Sequence, residues 1–341
     1  METKKNIRIA IIGAGHIAQV AHIPTWKKLN DVEIVAICDK VQTKAQWVAK
    51  RCQIPSYYSD AAEIFKRKDI DAVDICTETN THKSLVIEAL ESGKHVLVEK
   101  PMATNYEDAL AMVNAAEKCK KNLMVAMNVR FRRDAITLKS FIDGNELGDV
   151  FYARAGWMTK RNFPETEKNW LYQKEKAGGG VLMDLGIQML DVLWWLQGNL
   201  NPASVKANIF NTNSSIEVED TAVCSLNFDN GSVLSLEVSW SILAEKNFLY
   251  ANLFGANGTA TINPLRVYKD MHGNRINIIP TRDESSTVRY KRSYRNEMKH
   301  FISCLKRGVP LQASGREIAE RLKVIDAFYR SAREGKEVFL G

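Results

Sequence analysis

Ile7-Arg8-Ile9-Ala10-Ile11-Ile12-Gly13-Ala14-Gly15-His16-Ile17-Ala18 is the stretch whose reading decides the fold. Its first half is almost continuously apolar, as a strand buried on both faces requires. Its second half sets small residues at G-x-G-x-x-A spacing, directly behind that strand and at the head of a helix. Gly13 permits the tight turn, Gly15 lets the backbone approach a pyrophosphate, and Ala18 lets helix pack on strand. Around His16 and Ile17 the helix start offers unbonded N–H groups and the positive end of its dipole to phosphates. Asp39 closes the next apolar strand, Val32–Cys38, at the distance where an acid accepts from the ribose hydroxyls. An acid there favours NAD and repels a 2′-phosphate. Lys40 beside it keeps NADP open as the less favoured cofactor.

Outward from this motif, strand and helix alternate. Apolar strands read at Ala72–Cys76, His95–Val98 and Leu123–Ala126, with helices between them. The first helix runs from about Gly15 to Leu29, with Pro24 placed to kink it. Another begins at Thr104, where Thr104 and Glu107 have capping-box spacing. The pattern implies a doubly wound parallel sheet, a Rossmann dinucleotide-binding domain over residues 1–125. Past that point the period changes to two. Ala222, Cys224, Leu226 and Phe228 alternate with polar residues, as do Leu234, Leu236, Val238 and Trp240, and Asp229-Asn230-Gly231 between them marks a hairpin. A last helix spans about Gly315 to Arg333. The fold class expected is therefore α/β: the Rossmann domain followed by an α+β domain over 126–341 with a large, mostly antiparallel open sheet. The C-terminal helix of that second domain would be able to pack back on the first.

Composition agrees with two soluble domains. A chain of 341 residues is long for one core, and 45% hydrophobic with 26% charged residues is ordinary globular usage. No run approaches the roughly 20 apolar residues of a membrane span. Met1–Lys5 leads into a strand rather than a signal-peptide core, so a cytoplasmic protein with no membrane partner is expected. The six cysteines are scattered without a CxxC pair, which disfavours zinc and disulfides, and no metal is expected. Net charge is 47 − 40 = +7. Its densest stretch, Arg289–Arg295, is short, is placed just ahead of a helix, and reads as a solvated face rather than a nucleic-acid surface. Positive charge also suits an anionic cofactor or an acidic substrate.

Four further blocks follow in order: Cys76-Thr77 with Asn80 and His82; Glu99-Lys100-Pro101; Asn128-Val129-Arg130-Phe131; and Gly178-Gly179-Gly180-Val181-Leu182-Met183-Asp184-Leu185-Gly186. Over essentially its whole length the chain resembles the Gfo/Idh/MocA family of sugar and cyclitol dehydrogenases. The resemblance implies a nicotinamide cofactor over the ends of the parallel strands, its reactive ring facing the second domain's sheet. It places Thr77, Asn80 and His82 along the cofactor cleft, Glu99 and Lys100 near the nicotinamide, and Asn128 at the domain junction. It further implies that the second domain binds substrate and assembles a homodimer or homotetramer through its sheet. Oxidising a secondary alcohol removes a hydride and a proton together, and a partly desolvated lysine beside a cationic ring could take the proton. Lys100 is the candidate.

Asp184, Gln188 and Asp191 are spaced i, i+4, i+7 and would share one helical stripe beside the apolar Leu185, Met189, Val192 and Leu196. The family carries histidine, commonly the proton acceptor, where this chain has Gln188. An amide cannot exchange a proton near neutral pH, and no histidine lies between residues 101 and 271. Two accounts stay open. In the first, Lys100 is the acid/base, Asp184 holds it or a substrate hydroxyl, and Gln188 positions substrate. In the second, redox turnover is altered or lost, leaving a retained-NAD enzyme of glycosidase or epimerase type, or a catalytically silent sensor. Trp170 is a candidate to cover a sugar ring, and Tyr172 an aromatic contact for substrate.

Overall fold

The computed structural model describes residues 6–162, 169–281 and 284–341, so the opening segment Met1–Lys5 lies outside the described residues. Two compact units emerge, one from residues 1–128 with 290–319, the other from 129–289 with 320–341.

The first unit is built on a six-stranded parallel sheet: β1 (Ile7–Ile12), β2 (Val32–Cys38), β3 (Ser56–Tyr58), β4 (Ala72–Ile75), β5 (His95–Glu99) and β6 (Leu123–Ala126), in the order β3-β2-β1-β4-β5-β6. The order reverses at β1, which pairs with β2 on one side and β4 on the other. In such sheets ligands sit outside the carboxyl ends of the strands at this switch point. Ile9, Ile11, Ile37, Val73 and Leu97 are all fully buried, which explains the near-continuous apolar runs. Asp74 inside β4 is also 0% exposed, a charge among hydrophobes.

The first helix contains a π-turn, Ala18–His22, before a short α segment, Ile23–Trp26. Ile23 N–H bonds five residues back, to Ala18 O. Pro24 has no N–H with which to complete the α ladder, and a widened turn accommodates that gap. The helix expected to start at Thr104 instead spans Tyr106–Cys119, capped by Asn105, whose side chain accepts from Asp108 N–H. The cap lies one residue later than expected because Asn105 reaches the third N–H of the helix directly. The basic stretch Arg289–Arg295 lies within a helix, Ser286–Arg307, not ahead of one. That helix turns its other face inward with Tyr294, Glu297, Met298 and Phe301.

The second unit carries a nine-stranded sheet: β7 (Val150–Lys160), β8 (Pro202–Phe210), β9 (Thr221–Phe228), β10 (Val233–Ile242), β11 (Phe248–Gly255), β12 (Gly258–Ile262), β13 (Arg266–Met271), β14 (Asn274–Ile278) and β15 (Val338–Phe339). The order is β14-β13-β12-β11-β7-β10-β9-β8-β15, antiparallel except where β7 pairs with β10. The β9–β10 hairpin turns at Gly231, whose φ of +82° suits glycine. Ala222, Cys224, Leu226, Leu234, Leu236 and Val238 are buried on one face, and helix Ile187–Leu196 packs on β7 and β10. The stretch Lys174–Leu196 is apolar and long enough to cross a membrane by length and composition. With 94% of it buried inside the fold, it is a core segment.

Candidate active site

In the first unit the sequence-selected residues cluster at the carboxyl ends of the strands. Gly13 follows β1 with φ +99°, and a Cβ there would lie 2.4 Å from Cys76 O. No other residue fits this crossing of β1 and β4. A Cβ on Gly15 would meet only Cys76 O at 3.8 Å, so the space above the turn is open. His16 is exposed, Ile17 half-buried and Ala18 buried against the sheet. The N–H groups of this first turn have no carbonyl a turn behind them. An open cradle lined by such donors fits a pyrophosphate.

Asp39 follows β2 and closes the turn from the side. Its Oδ2 accepts from Ala14 N–H (2.9 Å) and Lys44 Nζ (2.9 Å), and its Oδ1 from Val41 N–H (3.0 Å). Burial pulls this carboxyl upward, but the Val41, Lys44 and Ala14 donors outweigh it and hold it below its ordinary range. Lys40 is largely exposed, with its amine 3.4 Å from Glu78.

After β4, Thr77 Oγ1 accepts from Thr81 Oγ1 at 2.8 Å, and Asn80 is exposed on a short 3₁₀ turn. His82, 1% exposed, sits beneath that turn; its ring nitrogens face Pro101 O (3.0 Å) and Thr77 O (3.2 Å), and a neutral ring donates to one of the two. Burial lowers its pKa and keeps the ring neutral. Glu99 and Lys100 end β5, and Glu99 Oε2 accepts from Lys100 N–H at 2.9 Å. Asn128, just past β6, is buried and donates to Ser293 Oγ at 3.0 Å.

In the second unit, Asp184 lies in a π-turn, Leu182–Gly186, that precedes helix Ile187–Leu196. Trp240 Nε1–H approaches Asp184 Oδ2 at 3.3 Å, and the Tyr172 ring packs edge-on to Trp240 at 5.7 Å. Burial, with Asp184 close by, raises the Tyr172 pKa and keeps the phenol neutral. Trp170 and Tyr172 share one 3₁₀ turn after Asn169. Asp184, Gln188 and Asp191 each have a different partner. Gln188 Nε2 donates to Asp184 O within the helix (3.3 Å). Asp191 is 1% exposed and bound by Arg130 Nε at 2.7 Å and Arg321 Nε at 3.2 Å, with Arg321 over the Trp194 ring at 4.0 Å. Asp191 is part of the core.

The glycine run is explained by crowding. A Cβ on Gly179 would lie 2.0 Å from Tyr329 Oη, and one on Gly180 1.9 Å from Glu219 O. Glu219 caps the turn that carries Asp184, accepting from Gly180 N–H (2.9 Å), Leu182 N–H (3.0 Å) and Tyr329 Oη–H (2.8 Å).

A model of the "oxidoreductase family, NAD-binding Rossmann fold" matches residues 7–127, and one of the "oxidoreductase family, C-terminal alpha/beta domain" matches residues 139–340. The chain belongs to the Gfo/Idh/MocA family. Its relatives include the D-glucoside 3-dehydrogenase of Escherichia coli K12, 29% identical over 99% of both chains, and the myo-inositol 2-dehydrogenase of Thermotoga maritima, 26% identical over 98% of both. In fold it matches levoglucosan dehydrogenase in complex with NADH, with a TM-score of 0.90 at 22% identity, over 99% of this chain and 100% of the other. The Rossmann unit is thus the family's NAD-binding domain, and the relatives of this Gfo/Idh/MocA protein are sugar and inositol dehydrogenases.

The sequence reading missed Trp240 and Glu219 as neighbours of the Gly178–Gly186 block, and His22 behind Lys100. Trp240 was legible only as an apolar position, although a buried indole N–H needs an acceptor. Glu219 and His22 carried no local motif. Their partners lie 39 and 77 residues away in the chain.

Proposed function

We propose that this protein is an NAD-dependent dehydrogenase of a sugar, polyol or cyclitol, acting on a secondary alcohol. The observation that carries the reading is the gathering of Gly13, Asp39, Thr77 and Lys100 at the carboxyl ends of β1, β2, β4 and β5, around the switch point. Gly13–Ala18 would hold the pyrophosphate and Asp39 the ribose, with Thr77, Asn80, His82, Glu99 and Asn128 shaping the rest of the pocket. Asp39 ionised below its ordinary range favours NAD over NADP, since a 2′-phosphate would face a fixed negative charge. Bound NAD supplies the hydride acceptor. Lys100 takes the alcohol proton, the task for which a lysine at the end of an apolar strand is suited. Asp184 binds substrate hydroxyls as a carboxylate, with Gln188, Trp170 and Tyr172 as further substrate contacts. With its amide donating inside its own helix, Gln188 is a positioning group and moves no proton.

The test is NADH formation over a panel of sugars and cyclitols by wild type, Lys100→Met and Gln188→His. Wild type should turn over at least one substrate, and Lys100→Met should lose about 10²–10⁴-fold in kcat while still binding NADH. Full activity in Lys100→Met refutes the assignment. Nucleotide binding without turnover on any substrate favours the sensor reading instead.

We further propose a homo-oligomer formed through the open face of the nine-stranded sheet. There Tyr152 and Phe254 stack at 5.4 Å, Arg154 lies over Tyr250 and Phe254, and Val223 is 46% exposed. Light scattering at micromolar protein that shows only monomer refutes it.

A further inference from the structure

Behind Lys100 the first unit buries more acid than its hydrophobic surroundings should tolerate. His22 lies between two carboxyl groups, Nδ1 2.8 Å from Asp74 Oδ2 and Nε2 2.9 Å from Glu99 Oε1. Asp74 Oδ2 also accepts from Trp26 Nε1–H at 2.7 Å, and Glu99 Oε2 from Lys100 N–H at 2.9 Å. His22 and Asp74 are 0% exposed and Glu99 6%. A third acid, Glu297, comes in from helix Ser286–Arg307, fully buried, and neither of its oxygens has a hydrogen-bond partner. Tyr294 of the same helix sets its ring edge against His22 at 5.4 Å and packs on Tyr290. The groups facing this cluster are thus Trp26, Asp74, Cys76, Glu99, Tyr290, Tyr294 and Glu297.

A neutral imidazole has one N–H, yet both nitrogens here face carboxylate oxygens, and the Asp74 oxygen already accepts from Trp26. Two donating N–H groups on the ring satisfy this arrangement. Burial alone would strip the ring of its second proton, but Asp74 against it holds its pKa well above the ordinary value. Asp74, His22 and Glu99 then sum to one buried negative charge. Ionising Glu297 would add a second with no donor to meet it, so burial, reinforced by Glu99, keeps that carboxyl protonated well above its usual range. His22, Asp74 and Cys76 also lie close enough together to close on a metal ion. The hydrogen bonds already made by both ring nitrogens, and a Cys76 thiol pushed up by burial to about 12, argue for a proton-filled cluster instead.

We propose that His22 is a positioning residue for Lys100, an imidazolium that ties Glu99 to Asp74 so that Glu99 can fix the Lys100 peptide, with Glu297 as the neutral acid that spares the cluster a second anion. The inference rests on the reading of Lys100 as the proton acceptor. A lysine whose peptide is clamped presents its amine in one place, and looseness there costs rate more than affinity.

Isotope-labelled histidine in the wild-type protein, observed by NMR, tests the charge without any substrate. His22, assigned by the signal lost in His22→Gln, should keep both ring nitrogens protonated at pH 7, above the ordinary titration range of histidine; a neutral ring at pH 7 overturns the proposal. On a substrate from the panel above, His22→Gln should lower kcat about tenfold or more, with KM and NADH affinity within about twofold. Unchanged kcat in folded His22→Gln overturns it. Glu297→Gln, an isostere of the neutral acid, should keep kcat within about twofold and extend activity to higher pH than wild type; a tenfold loss overturns it. The Glu297→Gln arm stands even where His22→Gln does not fold. One zinc per purified chain, lost in Cys76→Ser, also overturns the proposal. Failure of Lys100→Met to lose activity is a separate result, one that refutes the assignment of Lys100 and leaves the NMR outcome to report on the cluster.

Discussion

Replacing Glu219 by alanine removes three hydrogen bonds at once from the turn that carries Asp184. The Gly180 and Leu182 N–H groups and the Tyr329 hydroxyl would each lose a carboxylate oxygen at 2.8–3.0 Å. Glu219 is 8% exposed, so water reaches these donors poorly. A buried donor left unmatched costs about 1–3 kcal/mol. Entry of one water into the vacated space would offset part of the total, leaving an expected loss of about 3–5 kcal/mol. Glu219→Gln keeps one oxygen but turns an amide toward the remaining donors, and should lose about half as much. Tyr329→Phe removes only one donor and should cost about 1 kcal/mol. Urea unfolding gives the global figure, and hydrogen exchange of the amides from Leu182 to Asp191 shows whether the damage is local. A Glu219→Ala protein within about 1 kcal/mol of wild type, with unaltered exchange in that segment, would show that the carboxylate does not cap the turn.

Gly13→Ala forces a methyl to 2.4 Å from Cys76 O at φ +99° and should cost several kcal/mol, roughly 3 or more, read as a drop in melting temperature. Gly15→Ala has room beside the sheet, so its melting temperature should stay near wild type while NADH titration by fluorescence shows lost affinity. Because the Asp39 carboxyl ionises below its ordinary range, its stabilising effect is complete above about pH 4, where the unfolded group titrates, and falls away as pH drops through the lowered folded value. The stability gap between wild type and Asp39→Asn, followed by urea titration, should therefore be flat at neutral pH and shrink toward pH 3 and below. Asp191→Ala would leave Arg130 and Arg321 buried without their acid, an expected loss of about 3–5 kcal/mol by chemical denaturation.

The local motifs were legible because each is enforced over a few residues. The turn at Gly13 needs positive φ, the strands of a doubly covered sheet must be apolar, and Asp229-Asn230-Gly231 between two alternating runs has one economical conformation. Helix starts were less legible. Thr104 and Asn105 are both competent caps, and the choice of Asn105 followed from which side chain reached the Asp108 N–H. The i, i+4, i+7 spacing of Asp184, Gln188 and Asp191 did not reveal that Asp191 would be held in the core by Arg130 and Arg321.

By itself, then, the sequence determined the doubly wound nucleotide domain, the mixed sheet that follows it, the glycine turn with its acid, and the lysine at the end of β5. Each rests on periodicity or on spacing along one stretch of chain. Only the tertiary structure decided which buried charges meet. His22 finds Asp74 and Glu99, Glu219 finds Gly180 and Tyr329, and Asp191 finds Arg130 and Arg321 across separations of 39 to 130 residues. An ionisable side chain in a hydrophobic interior is stable only with its partner in place, and that partner is chosen by packing rather than by position in the chain.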